Sequence, residues 1–182
     1  VSSQLPCPVL ALQTHVMKLI LGFLYLSLAL CIRAGEWPQA AGPNGNFATP
    51  GEAPKAFSVA RGEGVIWRAK LPSTGQGTSV VSGGRVFVTS HEKITKDSQT
   101  GSAILGMCFD ARTGKELWRG KIGGTRTTDL SSLFSDNTAA SPVTDGKRVV
   151  FVNVGGTVKC FDYEGKELWS HTWTPFGRHH AR

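Results

Sequence analysis

Several familiar chemistries have no carrier in this sequence. Its four cysteines include no Cys-x-x-Cys pair, which removes the zinc ribbon and the thioredoxin-type motif. There is no Gly-x-x-x-x-Gly-Lys-Ser/Thr loop, no Gly-x-Ser-x-Gly elbow and no His-Glu-x-x-His, so phosphate-loop, serine-hydrolase and zinc-protease chemistry lack their motifs. Gly62-Glu63-Gly64 is a lone glycine pair, not a dinucleotide fingerprint. His179-His180 bring no third donor at a suitable spacing, and a metal site needs three or four, so no metal is expected. The charge-free run Leu19 to Ile32 is short of the ~20 residues a membrane span requires. The formal charge is +7, but the bases are scattered. A nucleic-acid footprint wants clustered Lys and Arg, usually with stacking aromatics, so no nucleic-acid partner is expected.

What the chain does have is a stretch that occurs twice. Cys108-Phe109-Asp110-Ala111-Arg112-Thr113-Gly114-Lys115-Glu116-Leu117-Trp118 returns as Cys160-Phe161-Asp162-Tyr163-Glu164-Gly165-Lys166-Glu167-Leu168-Trp169, and Val65-Ile66-Trp67-Arg68 is a weaker upstream echo. Trp67, Trp118 and Trp169 are each 51 positions apart. Self-similarity at about this period marks stacked supersecondary units such as propeller blades. Around each copy, short β-branched and aromatic runs alternate with turn signals: Ser82-Gly83-Gly84, Asp145-Gly146 and Gly155-Gly156 as tight turns, and Asp110 to Gly114 and Asp162 to Gly165 as Asp-started turns ending on glycine. The pattern predicts one outer strand at 65–71 and two four-stranded antiparallel meanders, at 78–119 and 138–170, with a further repeat starting near 179. One such sheet cannot cover both its faces, so the fold class is an all-β propeller built of four-stranded blades. Cys108 and Cys160 fall in one slot of successive repeats, where two buried free thiols are expected.

Upstream, residues 1–16 read as read-through ahead of a true start at Met17. Met17-Lys18 and the apolar run then form a signal peptide over 17–34, with cleavage near Ala34 and export to the periplasm or the exterior. Leu28-Ala29-Leu30-Cys31 approaches a lipoprotein box but carries the large Leu30 before its cysteine. The membrane is met only through this segment. Residues 35–63, rich in Pro and Gly, are an irregular lead-in.

The string Phe-Asp-x-x-Thr-Gly-Lys-Glu-Leu-Trp resembles the tryptophan-docking repeat of the pyrroloquinoline quinone (PQQ)-like propeller family. The Ser-Pro-Val and Gly-x-Arg-Val-Phe-Val strands are similar to that family's first two strands, and Trp37-Pro38-Gln39 with Gly42-Pro43 looks like the opening of large secreted bacterial members. The resemblance covers about residues 36–169. It implies that Trp118 and Trp169, with Trp67 as their upstream echo, serve as inter-blade anchors. Asp110 and Asp162 occur once per copy, in turns that end on Gly114 and Gly165, and are expected to cap those turns and not to act as paired catalytic carboxylates. Only two full copies of the repeat are present, so the remaining blades of a longer chain are expected as partners of this one.

The family includes quinoprotein dehydrogenases, which hold PQQ with Ca²⁺ and use an Asp base, and scaffolds of the BamB type. The adjacent cysteine pair common in the dehydrogenases is missing, and their metal ligands and catalytic Asp find no matching position. The expected function is therefore a non-catalytic binding or scaffold module of the bacterial envelope, with a PQQ-dependent alcohol or sugar dehydrogenase as the alternative. Long loops at 90–101 and 120–136 and the lead-out after Trp169 bring Lys93, Lys121, Arg126, Arg178 and His179 to one face. That face is a candidate for an anionic or protein partner.

Overall fold

The computed structural model describes residues 35–51, 54–92, 103–125 and 137–175. Eight strands form two antiparallel sheets. The first holds β1 (Val80–Ser82), β2 (Arg85–His91), β3 (Ile104–Asp110) and β4 (Glu116–Ile122) in that order. The second repeats the order with β5 (Val143–Thr144), β6 (Arg148–Asn153), β7 (Thr157–Asp162) and β8 (Glu167–Thr172). No helix occurs among the described residues. These are two propeller blades.

The hairpins follow from the turn residues. Gly83 (φ 57°) and Gly84 (φ 73°) both adopt the left-handed backbone that a two-residue hairpin turn matching strand twist demands. In the second sheet Asp145 does the same work through its side chain. Its carboxylate accepts from the Lys147 and Arg148 amides at 3.0 and 2.7 Å. Each blade has a register shift at the same place, between Cys108 and Phe109 and between Cys160 and Phe161, beside the Asp-started turn. Pro142, which cannot donate to a ladder, lies just ahead of β5, an edge strand.

Register assigns side chains to faces, because directly opposed residues share one side of a sheet. Val80, Phe87, Cys108 and Trp118 form one row across the first blade. This face packs on Val149, Phe151, Phe161 and Tyr163 of the second blade to make the main core. Glycine lets the sheets close: a Cβ at Gly106 or Gly120 would sit 2.9 Å from the rings of Phe151 and Phe161 respectively. The opposite face of the first blade carries Leu105, Met107 and Phe109, covered by Ala69 and Leu71.

Two expectations need correction. Residues 65–71 form no strand. They keep the alternation of a strand, with Val65, Trp67, Ala69 and Leu71 half-buried and Ile66, Arg68 and Lys70 exposed. No strand lies alongside to complete a ladder among the described residues, so the segment packs through side chains alone. Lys121 is not in a loop. β4 runs on to Ile122, which is fully buried and pairs with Ile104, and this carries Lys121 into the ladder opposite Leu105.

The lead-in is also more ordered than its composition suggests. Trp37 exchanges both backbone hydrogen bonds with Val81, at 2.7 and 2.8 Å, and the Pro38 carbonyl accepts from the Thr144 amide at 2.9 Å. A single extended stretch thereby ties the first strands of both blades together.

Candidate functional site

The residues with the clearest sequence signal fall into two matching assemblies. In the first, the Trp67 indole N–H donates to the Ala111 carbonyl at 2.7 Å, and its ring lies over Gly114. In the second, the Trp118 indole N–H donates to the Tyr163 carbonyl at 2.9 Å, and its ring lies over Gly165. Ala111 and Tyr163 each follow the turn-starting Asp. Gly114 (φ 71°) and Gly165 (φ 89°) are required twice over: the backbone is left-handed, and a Cβ would come within 2.5–2.6 Å of the indole.

The two aspartates are occupied by their turns. Asp110 accepts from the Arg112 and Thr113 amides and the Thr113 hydroxyl, at 3.1, 2.7 and 2.7 Å. The Thr113 hydroxyl, followed by its amide, lowers the Asp110 pKa below the ordinary value. Asp162 accepts from the Glu164 and Lys166 amides at 3.0 and 2.8 Å. Ca²⁺ takes six to eight oxygen ligands. Among the described residues no three of His, Cys, Asp and Glu stand close enough to hold a metal.

Trp169 differs from its counterparts. It is 46% exposed. With Val143, Val150 and Cys160 it forms the row equivalent to Val80, Phe87, Cys108 and Trp118, and this row faces an open pocket of ≈ 270 Å³ that Thr144, Asp145 and Arg148 complete. Val143 at 45% exposure shows how open the face is, where its equivalent Val80 is fully buried.

At the inner interface the equivalent pocket is filled. Tyr163 enters it, with its ring 5.0 Å from that of Phe87 and 5.6 Å below the Arg85 guanidinium. Its hydroxyl shares a 2.7 Å hydrogen bond with Thr144 Oγ1 in its own blade. Arg85 continues outward to Glu164 at 3.1 Å. In the open pocket, Arg148 instead pairs with Asp145 through two nitrogens, at 2.9 and 2.7 Å. This contact, followed by the Arg148 and Lys147 amides, pulls Asp145 down to about 2. Cys108 and Cys160 are free and buried. Burial is the main cause raising both thiols, Cys108 to about 11, so neither is a nucleophile near neutrality.

Of the candidate ligand-face residues, Lys121 is ion-paired with Glu92 at 2.7 Å on the surface. Lys93, Arg126, Arg178 and His179 lie outside the described residues. Sequence reading missed Tyr163, Arg85, Asp145 and Arg148. The available signal was that an arginine recurs at one slot of both copies, Arg85 and Arg148, and that one of only two tyrosines stands in a turn where the other copy has Ala111.

The profile of the family described as outer membrane protein assembly factor BamB matches residues 52–178. No curated protein matches the chain at a significant level. Among solved structures, BamB from Moraxella catarrhalis is similar at 17% identity and a TM-score of 0.40, over 59% of this chain and 26% of that one. This chain thus spans about a quarter of that protein's length. With a family profile across most of its length and two four-stranded blades docked through Trp118, the chain belongs to the PQQ-like repeat family described as outer membrane protein assembly factor BamB.

Proposed function

We propose that this chain supplies blades to an exported, non-catalytic β-propeller that works as a binding or scaffold module of the bacterial envelope. The observation that carries this reading is the different exposure of two equivalent tryptophans. Trp118 is covered by the next blade's turn, whereas Trp169 presents the same face with nearly half its surface open. A face built like an inter-blade interface is suited to receive a further blade. Support for the envelope comes from the family's description and from the apolar segment after Met17. Support for a non-catalytic role comes from the use of Asp110 and Asp162 as turn caps. A protein or anionic partner is proposed for the face that Lys93, Lys121, Arg126, Arg178 and His179 would share.

Two measurements test the reading. The complete protein is loaded with PQQ and Ca²⁺ and offered alcohols and sugars with a redox dye; dye reduction would replace the scaffold by a quinoprotein dehydrogenase. Separately, fractionation of cells making the protein should place it outside the cytoplasm, with the chain shortened to near Gly35.

A further inference from the structure

Resting on the reading that a further blade docks on the open face, the structure also indicates which turn that blade can present. The two sockets have the same construction, but one presents an arginine that pairs with no acid of its own blade among the described residues and the other an arginine already paired within its blade. In the filled socket the slot beside the arginine is Ser82, which leaves Arg85 free to stack on Tyr163 and reach Glu164. In the open socket the same slot is Asp145, and its carboxylate already holds Arg148 at two points. An incoming acid at the position of Glu164 would gain little from an arginine already neutralised and would face the Asp145 carboxylate. Like charges in a partly desolvated contact oppose docking, and interfaces use such repulsion to exclude wrong partners.

We infer that Asp145 is a specificity residue: the open face of the second blade takes the Asp-started turn of a further repeat whose third residue is neutral or basic, and rejects one bearing Glu there. The Arg85–Glu164 pairing and the Asp145–Arg148 pairing are thus alternative codes at one structural position. They would keep successive blades in order, because a turn that fits one socket is wrong for the other. The first copy's own turn, Asp110 to Gly114, has Arg112 at this third place, so the basic version is compatible with the turn's fold.

The test uses the whole chain and two fluorescent, head-to-tail cyclised hairpins copying residues 157–172, one with Glu at the place of Glu164 and one with Lys. Fluorescence anisotropy reads their binding. The Lys hairpin should bind at least roughly threefold more tightly than the Glu hairpin, the size expected of a partly screened charge contact. The order should reverse in D145S, which gives the open socket the filled one's composition. W169A should abolish both. Equal binding that D145S leaves unchanged overturns the charge code while leaving the docking of a blade intact. Failure of both hairpins to bind, although each is folded by circular dichroism, overturns the docking reading and this inference together. A second readout needs no added ligand. In the same chain, S82D should lower the urea midpoint, and E164K should recover part of the loss only in the S82D background; recovery absent, or equal in the wild-type background, overturns the code.

Discussion

Gly165 and Gly146 have nearly the same backbone, φ 89° and 88°, but different surroundings. A Cβ at 165 would press on Trp118 at 2.6 Å, whereas one at 146 meets nothing within 4 Å. Gly146→Ala should therefore cost only the left-handed conformation, about 1 kcal/mol. Gly165→Ala should cost roughly 2–4 kcal/mol, because the indole must also move. Urea denaturation of the two variants compares them directly, and equal losses would mean that the indole does not rest on Gly165. Asp145 supplies a pH-dependent counterpart. Its pKa is depressed from 3.8 to about 2, so its contribution to stability is present above the ordinary value and is lost as pH falls through about 2. Asp145→Asn should flatten the stability profile across that acid window without changing its slope near neutrality. Acid-induced unfolding followed by circular dichroism would show it.

A blade is held by both its own turns and its neighbour's face, and Tyr163 belongs to both. Its ring fills the first blade's socket while its hydroxyl bonds to Thr144 in its own blade. Tyr163→Phe keeps the ring and removes only the hydroxyl, leaving Thr144 Oγ1 still bonded to the Arg148 carbonyl at 2.7 Å. The expected loss is about 1 kcal/mol, the ordinary net value of one hydrogen bond, by equilibrium denaturation. A much larger loss would mean that the phenol positions the inter-blade contact as well as bonding within its own sheet.

Across the molecule, equivalent residues should have unequal importance. Trp118 joins two blades, packing against Phe87, Phe151 and Phe161 with centroid separations of 5.5–6.2 Å. Trp118→Ala should cost roughly 3–5 kcal/mol, as for a large aromatic removed from a core. Trp169→Ala in the same chain should cost about 1 kcal/mol or less, because its equivalent surface is open and most surface changes are small. Thermal denaturation of both variants measures the ratio. Similar losses would show that Trp169 is already anchored as Trp118 is.

The period of the tryptophans, the Asp-to-Gly turns and the two sheets were legible in the sequence by itself, because each depends on local chemistry repeated at fixed spacing. Alternation builds strands, left-handed glycines close turns, and an indole recurring beside such a turn marks a stack of sheets. Residues 65–71 have the same alternation yet make no ladder, because a ladder needs a neighbouring strand that local pattern cannot provide. Lys121 read as a loop residue until the distant pairing of Ile104 with Ile122 lengthened β4. Only tertiary structure decided that Tyr163 plugs a socket on the other blade, that Asp145 rather than a neighbouring blade holds Arg148, and that Trp169 stands open. Those facts depend on which face meets which, a relation between residues tens of positions apart that no single stretch of chain encodes.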